Sequence, residues 1–153
     1  MDFINRTKEL NTLNEEYEKN RFSFIVIYGR RRVGKTRLIS EFIKNKDAFY
    51  FLADIQTEKL NIQRFCKSAS RILKDEFMTK IDFNDWGTIF EYIFKHWNKN
   101  KKLIIVVDEF QYLAQINAAT ASIFQRIIDE TLQNQNCMLI LCGSIISLMY
   151  KHT

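Results

Sequence analysis

Short apolar runs alternate with longer amphipathic stretches along the chain. Four of the runs have the length and composition of β-strands. They are residues 22–28 (FSFIVIY), 48–52 (AFYFL), 103–107 (LIIVV) and 137–142 (CMLILC). The run at 103–107 has no polar alternation, so we expect both of its faces to be buried, as in the interior of a parallel sheet.

Apolar residues between these runs recur at helical spacing. The pattern predicts a helix at 35–44, a second after residue 54, a third after residue 82 and a fourth at 120–133. The expected N-caps are Asp54 or Thr57 for the second helix and Asp82 or Asn84 for the third. A short leading helix is also predicted, with Asn5 or Thr7 as its cap.

The third predicted helix carries a continuous stripe of large apolar side chains. A stripe with this aromatic content could stack nucleic-acid bases or pack into the core. The opposite helix face is polar, with Glu91 and Lys95, and this favours core packing. The stripe consists of Trp86, Ile89, Phe90, Ile93, Phe94 and Trp97.

Strands that alternate with helices are typical of βαβ units. We therefore expect an α/β fold with three αβα layers, a parallel sheet of about four strands and right-handed crossovers. No linker or internal repeat divides the sequence, so residues 1–153 are treated as one domain.

The chain has only four glycines, and two of them lie in one short segment, Gly29 to Thr36 (GRRRVGKT). This segment matches the Walker A motif, G-x-x-x-x-G-K-[ST], and lies between a predicted strand and a predicted helix, as the motif requires. The glycines allow a tight turn and a close backbone approach, so that successive N–H groups can surround phosphate oxygens. The alternative is a glycine turn before a basic helix start. The residues predicted to contact the nucleotide are Gly29, Arg30, Arg31, Arg32, Val33, Gly34, Lys35 and Thr36.

Two residues of the motif have specific expected roles. The Lys35 ammonium would lie between the β- and γ-phosphates, and the Thr36 hydroxyl would bind Mg²⁺. The sequence therefore predicts a site for a nucleoside triphosphate with magnesium.

Two carboxylates, Asp108 and Glu109, directly follow the buried run at 103–107. Ligands of open parallel sheets bind at the carboxyl ends of the strands. We expect Asp108 to hold Mg²⁺, directly or through water, and Glu109 to polarise a water for attack on the γ-phosphate. The alternative is a solvated acidic turn, which the presence of the phosphate loop disfavours.

A small polar residue, Ser144, follows the last predicted strand. It is a candidate sensor of the γ-phosphate. A turn or helix-capping serine is an equal alternative.

The formal charge of +5 raises the possibility of a nucleic-acid surface. Three of the positive charges belong to the phosphate loop, so nucleic-acid binding is not favoured. The three cysteines show no C-x-x-C spacing and indicate buried, reduced thiols of a cytoplasmic protein. No apolar run has the ~18 residues of a membrane span, and the N-terminus does not have the pattern of a secretory signal.

Four segments together resemble the archaeal ATPase family, which belongs to the STAND branch of P-loop NTPases, near the AAA+ proteins. They are residues 3–10 (FINRTKEL), 28–37 (YGRRRVGKTR), 107–113 (VDEFQYL) and 141–144 (LCGS). The resemblance implies ATP as the nucleotide and an extra strand between the phosphate-loop strand and the acidic strand. It also implies that Ile4, Asn5 and Arg6 wrap the adenine and that Arg37 borders the base or ribose.

Members of the resembled family usually continue into a further strand and a helical lid, whereas this sequence ends at Thr153. The expectation is therefore a nucleotide-binding core with an exposed first strand that favours self-association. The leading hypothesis is a slow, STAND-like ATPase switch. The alternatives are a nucleotide-binding fragment without turnover, a nucleic-acid-associated ATPase and, least favoured, a small-molecule kinase.

Overall fold

The computed structural model describes residues 3–28, 34–97 and 100–143, with side chains from Thr7 onward. Helices and parallel strands alternate through these ranges. The elements are α1 (Phe3–Glu18), β1 (Ser23–Tyr28), α2 (Lys35–Ile43), β2 (Ala48–Leu52), α3 (Glu58–Leu73), a 3-10 helix (Glu76–Lys80), α4 (Trp86–His96), β3 (Leu103–Asp108), α5 (Phe110–Ile116), α6 (Thr120–Glu130), a second 3-10 helix (Leu132–Asn134) and β4 (Cys137–Gly143).

The sheet has the strand order β1-β4-β3-β2, and every neighbouring pair is parallel. Strand β4 thus lies between β1 and β3, as the family resemblance implied. The strands end at the same edge, since Tyr28 pairs with Gly143 and Leu52 pairs with Asp108. We call this the carboxyl edge of the sheet, and the edge at which the strands begin the amino edge.

Successive side chains of the central strands point to opposite faces, and each face is covered by helices. On β3, Ile105 and Val107 pack with the cluster formed by α3, α4, α5 and α6, whereas Ile104 and Val106 pack with α1 and α2. All six β3 residues are buried, as predicted. The predicted α/β fold with three αβα layers and four parallel strands is confirmed.

The aromatic stripe of α4 lies in the core. Trp86, Ile89, Phe90 and Ile93 are buried, and the rings of Trp86 and Phe90 contact Phe124 of α6. Burial of a large aromatic side chain stabilises a fold by ~3–5 kcal/mol relative to alanine. The stripe is therefore a structural feature of the described core.

Several helix boundaries differ from the sequence prediction. Helix α3 begins after Thr57, whose hydroxyl accepts a hydrogen bond from the Leu60 N–H (3.2 Å), as one predicted alternative had it. The predicted cap of α4 was wrong. Neither Asp82 nor Asn84 caps this helix; Asp85 does, through a 2.8 Å bond from the Thr88 N–H.

Three further helical segments were predicted incompletely. Helix α1 begins at Phe3, before both predicted caps, and it has 16 residues. Helix α6 ends at Glu130 rather than residue 133, because the chain tightens there into the 3-10 helix Leu132–Asn134. The short helix α5 was missed, since its seven residues directly follow the acidic pair and no side chain caps it.

A buried lysine, Lys102, joins the end of α1 to the amino edge of the sheet. Its Nζ donates to the carbonyl oxygens of Glu16 (3.1 Å) and Lys19 (2.9 Å) and to Ser23 Oγ (2.9 Å). Tyr17, near the same end of α1, meets Phe42 near the end of α2. The C-terminal end of α1 therefore lies at the amino edge, and its N-terminal end lies ~24 Å away, on the side of the carboxyl edge.

The described helices include none that is long and apolar enough to cross a membrane. Strand β1 lies at one edge of the described sheet and pairs with β4. Residues 24–27 of β1 are half-buried and Tyr28 is exposed. Self-association through this strand stays a prediction.

Candidate functional site

Helix α2 begins at the carboxyl edge, directly after Gly34. This glycine has φ 79° and ψ 18°, in the left-handed region that glycine enters without steric cost. No side chain caps α2, so its first backbone N–H groups are not bound by an N-cap side chain. A helix N-terminus of this kind is a common place for phosphate groups to bind.

Lys35, the first residue of α2, points into the protein and is only 4% exposed. Its Nζ lies 3.0 Å from Asp108 Oδ1 and 3.4 Å from Glu109 Oε1. Burial disfavours the ammonium, but the hydrogen bond with Asp108 and the charges of Asp108 and Glu109 outweigh this effect. The pKa of Lys35 is therefore raised above its ordinary value, and the side chain is a cation at neutral pH.

The two carboxylates lie together because the backbone turns sharply between β3 and α5. Glu109 has φ 56° and ψ 41°, a left-handed conformation that costs a non-glycine residue ~1–2 kcal/mol. Asp108 Oδ1 accepts a 2.8 Å hydrogen bond from the Glu109 N–H, which supports the turn. As a result both acidic side chains are buried and face Lys35.

Tyr50 of β2 also belongs to the site, although no sequence motif indicates this residue. Its hydroxyl donates to Asp108 Oδ2, and the side chain of Thr36 lies near the same hydroxyl. Burial and the bond to Asp108 raise the pKa of Tyr50 well above its usual range. A signal did exist, because a tyrosine in the apolar run 48–52 needs a polar partner for its hydroxyl when it is buried.

The structure brings together four predicted site residues, Lys35, Thr36, Asp108 and Glu109. Arg37, predicted to border the base or ribose, lies exposed in the first turn of α2. The other predicted residues fall outside the description. They are Gly29, Arg30, Arg31, Arg32, Val33 and Ser144, together with the side chains of Ile4, Asn5 and Arg6.

The oxygen atoms of Thr36 and Asp108 suit a magnesium ion. Both side chains lie near the Tyr50 hydroxyl, which donates to Asp108. The described residues contain no cluster of three or more His, Cys, Asp or Glu side chains that could hold a metal. Mg²⁺ commonly binds through one or two protein oxygens, several waters and the phosphates of a substrate, so this donor set fits a metal that arrives with a nucleotide.

The three cysteines are free and buried, as predicted. Cys142 of β4 lies near the site, and burial together with the Asp108 charge raises the pKa of its thiol. These thiols are therefore uncharged at neutral pH and act as small core residues.

Residues 3–153 match the family model of an ATPase domain found predominantly in Archaea. The chain belongs to this archaeal ATPase family. A relative in Methanocaldococcus jannaschii, an uncharacterized protein, is 40% identical over 147 residues, which are 96% of this chain and 30% of the relative. An uncharacterized ATP-binding protein of the same organism is 50% identical over 44 residues, 29% of this chain and 75% of that protein.

Solved structures share the fold of this family member at low sequence identity. A chain of Drosophila ORC bound to DNA superposes with a TM-score of 0.71 at 18% identity, over 94% of this chain and 38% of that one. Cdc6p from Pyrobaculum aerophilum gives 0.57 at 16%, over 94% and 40%. The Walker-type ATPase of Pyrococcus abyssi gives 0.55 at 20%, over 96% and 47%. These structures support the P-loop ATPase fold.

Proposed function

We propose that this domain binds ATP with Mg²⁺ at the carboxyl edge of the sheet and hydrolyses the ATP slowly. The observation that carries the proposal is the position of Lys35, a buried cation at an uncapped helix start, held by two carboxylates. The positive end of the helix dipole repels a cation at the N-terminus of a helix, so the contacts of Lys35 with Asp108 and Glu109 have to offset this repulsion. A phosphate group would be attracted both to Lys35 and to the free N–H groups of α2.

The Walker A residues would share the recognition of the triphosphate. Lys35 would contact the β- and γ-phosphates, and the backbone from Gly29 to Gly34 would donate N–H groups to phosphate oxygens. We extend the proposal to Ile4, Asn5 and Arg6 as adenine contacts, because α1 runs toward the carboxyl edge where β1 ends. The exposed position of Arg37 beside Thr36 leaves it accessible to the ribose or base.

Thr36 and Asp108 would hold Mg²⁺, with Asp108 acting directly or through a bound water. When bound, the ion would neutralise charge on the β- and γ-phosphates and keep them in a reactive orientation. The protein would contribute one oxygen group at the end of β3 and one at the start of α2, both near the Tyr50 hydroxyl.

Glu109 is the proposed water-positioning residue. Its carboxylate contacts Lys35 in the described structure, at 3.4 Å. A γ-phosphate would offer the ammonium another anionic partner, and Glu109 could then accept a hydrogen bond from the attacking water. We expect slow turnover, because Glu109 has to break its contact with Lys35 before it can bind the attacking water. Ser144 is retained as the proposed γ-phosphate sensor.

The chain spans 30% of the length of the Methanocaldococcus relative. We propose a switch role of the STAND type, in which binding and hydrolysis alter contacts at the carboxyl edge. The alternative is binding without meaningful turnover.

Phosphate release with Glu109→Gln separates these two alternatives. We expect the variant to bind Mg·ATP like the wild type and to release phosphate on the order of a hundredfold more slowly, a typical effect of losing a positioned catalytic group. Glu130→Gln is the matched control, because Glu130 is exposed on α6 and its nearest cation, Arg126, lies 3.7 Å away at the surface. Equal turnover in the wild type and Glu109→Gln would exclude Glu109 as the water-positioning residue. Absence of turnover in the wild type, with ATP bound, would favour the binding-only alternative.

A further inference from the structure

Tyr50 occupies a position from which it can influence the metal side of the site. It lies in β2, at an edge of the described sheet, and its side chain faces the cluster formed by α1 and α2. The register places Leu52 beside Asp108, so Tyr50 is two residues before the carboxyl end of its strand. From there its hydroxyl reaches across to Asp108 Oδ2.

The Tyr50 hydroxyl donates to the carboxylate of Asp108, one of the two proposed metal ligands. Thr36, the other proposed ligand, lies near the same hydroxyl. Asp108 and Thr36 are 72 positions apart in the sequence and lie on different elements. The hydroxyl therefore lies where the start of α2 approaches the end of β3.

The Asp108 carboxylate is held through both of its oxygens. Oδ1 contacts the Lys35 ammonium (3.0 Å) and accepts from the Glu109 N–H (2.8 Å), while Oδ2 accepts from Tyr50. If Lys35 moves its contact to a phosphate, Oδ1 loses one of these partners. The carboxylate then depends on the Glu109 N–H and the Tyr50 hydroxyl for its orientation. A ligand carboxylate generally needs such supporting hydrogen bonds to present the correct oxygen to a metal or its water.

We propose that Tyr50 is a positioning residue of the magnesium site, which holds Asp108 through Oδ2 once Lys35 has engaged the triphosphate. The inference rests on the proposed function, since it assigns Tyr50 to the same ATP–Mg²⁺ site. It does not make Tyr50 a ligand or a catalytic group. The residue acts through Asp108.

The test is Tyr50→Phe, which removes the hydroxyl and keeps the ring that packs on the cluster around α2. ATP affinity is measured by calorimetry in excess Mg²⁺ and again in EDTA. We expect the gain in affinity that Mg²⁺ provides to fall about threefold to tenfold, as for the loss of one hydrogen bond. Affinity for metal-free ATP should stay at the wild-type value, because Tyr50 has no role in phosphate binding here.

Tyr92→Phe is a matched control. The Tyr92 hydroxyl also donates to a carboxylate, that of Asp75 at the start of the 3-10 helix Glu76–Lys80, and its pKa is raised mainly by burial. This variant removes the same kind of hydrogen bond from a different region, so it should leave both ATP affinities unchanged. Thermal unfolding of the two variants shows whether either effect comes from a general loss of stability.

Three results would overturn the inference. The first is a gain in ATP affinity with Mg²⁺ that is as large for Tyr50→Phe as for the wild type. The second is tighter Mg·ATP binding by Tyr50→Phe, which would mean that the hydroxyl obstructs the metal. The third is an equal loss with and without Mg²⁺, which indicates a structural role. Failure of the proposed function itself looks different, because the wild type would then not bind Mg·ATP at all.

Discussion

Two buried lysines at opposite edges of the sheet have nearly the same exposure and very different surroundings. Lys35 at the carboxyl edge is 4% exposed, and Lys102 at the amino edge is 5% exposed. Lys35 contacts two carboxylates, whereas Lys102 donates to two carbonyl oxygens and a serine hydroxyl. The pKa of Lys35 is raised by its acidic partners, and burial lowers the pKa of Lys102.

The difference distinguishes the lysine that we propose to bind phosphate from a structural one. The neutral oxygens around Lys102 belong to the end of α1 and the start of β1. The ammonium therefore adds a donor at a helix end, where the Glu16 carbonyl also accepts from the Lys19 N–H and the Ser23 hydroxyl. The partners of Lys35 are charged side chains. A phosphate could replace the carboxylates as the partner of Lys35, and a metal or water could replace Lys35 as the partner of the carboxylates. Burial alone would not have distinguished the two residues.

Substitutions of the two lysines should differ most in their effect on nucleotide affinity. Lys35→Met removes the only charge of the described α2 start that faces Asp108 and Glu109, and it leaves two buried carboxylates to repel the triphosphate. We expect Mg·ATP binding to weaken by more than tenfold, since charge-assisted hydrogen bonds contribute ~1.5–3 kcal/mol each. Titration calorimetry with Lys102→Met as the comparison measures the effect. Equal affinities for the two variants would contradict the assignment of Lys35.

The next effect concerns the contribution of Lys102 to the stability of the fold. Lys102→Met removes three hydrogen bonds that hold α1 to the amino edge of the sheet. The free energy of unfolding should fall by about 1–3 kcal/mol, because the loss of paired polar groups exceeds the relief of burying a charge. Urea denaturation provides the measurement, and Lys67→Met at an exposed position of α3 is the control. A variant as stable as the wild type would show that Lys102 is dispensable for docking α1.

The smallest effect is the pH dependence of stability, and its sign differs between the lysines. The raised pKa of Lys35 means that its contribution is fully present below 10.5, the ordinary lysine value, and is lost as pH rises through the folded pKa above it. The pKa of Lys102 is lowered, so the folded protein releases this proton first and stability gains from Lys102 as pH approaches 10.5 from below.

Urea unfolding at a series of alkaline pH values checks these signs. The stability difference between the wild type and Lys35→Met should shrink above pH 10.5, while the difference between the wild type and Lys102→Met should grow just below that pH. Differences between paired proteins cancel the titration of the other lysines and tyrosines. The same trend in both pairs would show that the charge environments of the two lysines do not differ as described.

Much of the fold could be predicted from the sequence, because each buried strand is a short apolar run and each long helix has an apolar stripe. Runs such as LIIVV can be buried on both faces only inside a sheet. The boundaries were less predictable, since Asp82, Asn84 and Asp85 are all good caps and only the packing of Trp86 selects Asp85. The short helix α5 has too few residues for a periodic pattern.

The site could be predicted only in part, for a related reason. Four site residues belong to sequence motifs, in which the spacing of residue types along the chain indicates their chemical roles. These residues are Lys35, Thr36, Asp108 and Glu109. Tyr50 belongs to no motif, and its role depends on the parallel register that brings β2 beside β3. Lys102 hydrogen-bonds residues that lie 79 to 86 positions before it, so no local sequence pattern indicates these contacts.

The most direct test of the proposed site is to locate where Mg·ATP binds on the wild-type domain. Two-dimensional ¹H–¹⁵N NMR of this 18.3 kDa chain can follow backbone amides during a titration. We predict that the largest shift changes fall at the carboxyl edge, at Gly34, Lys35 and Thr36 and at Asp108 and Glu109, while Ser23 and Lys102 at the amino edge shift little. Changes concentrated at the amino edge, or no changes at millimolar Mg·ATP, would contradict the proposal.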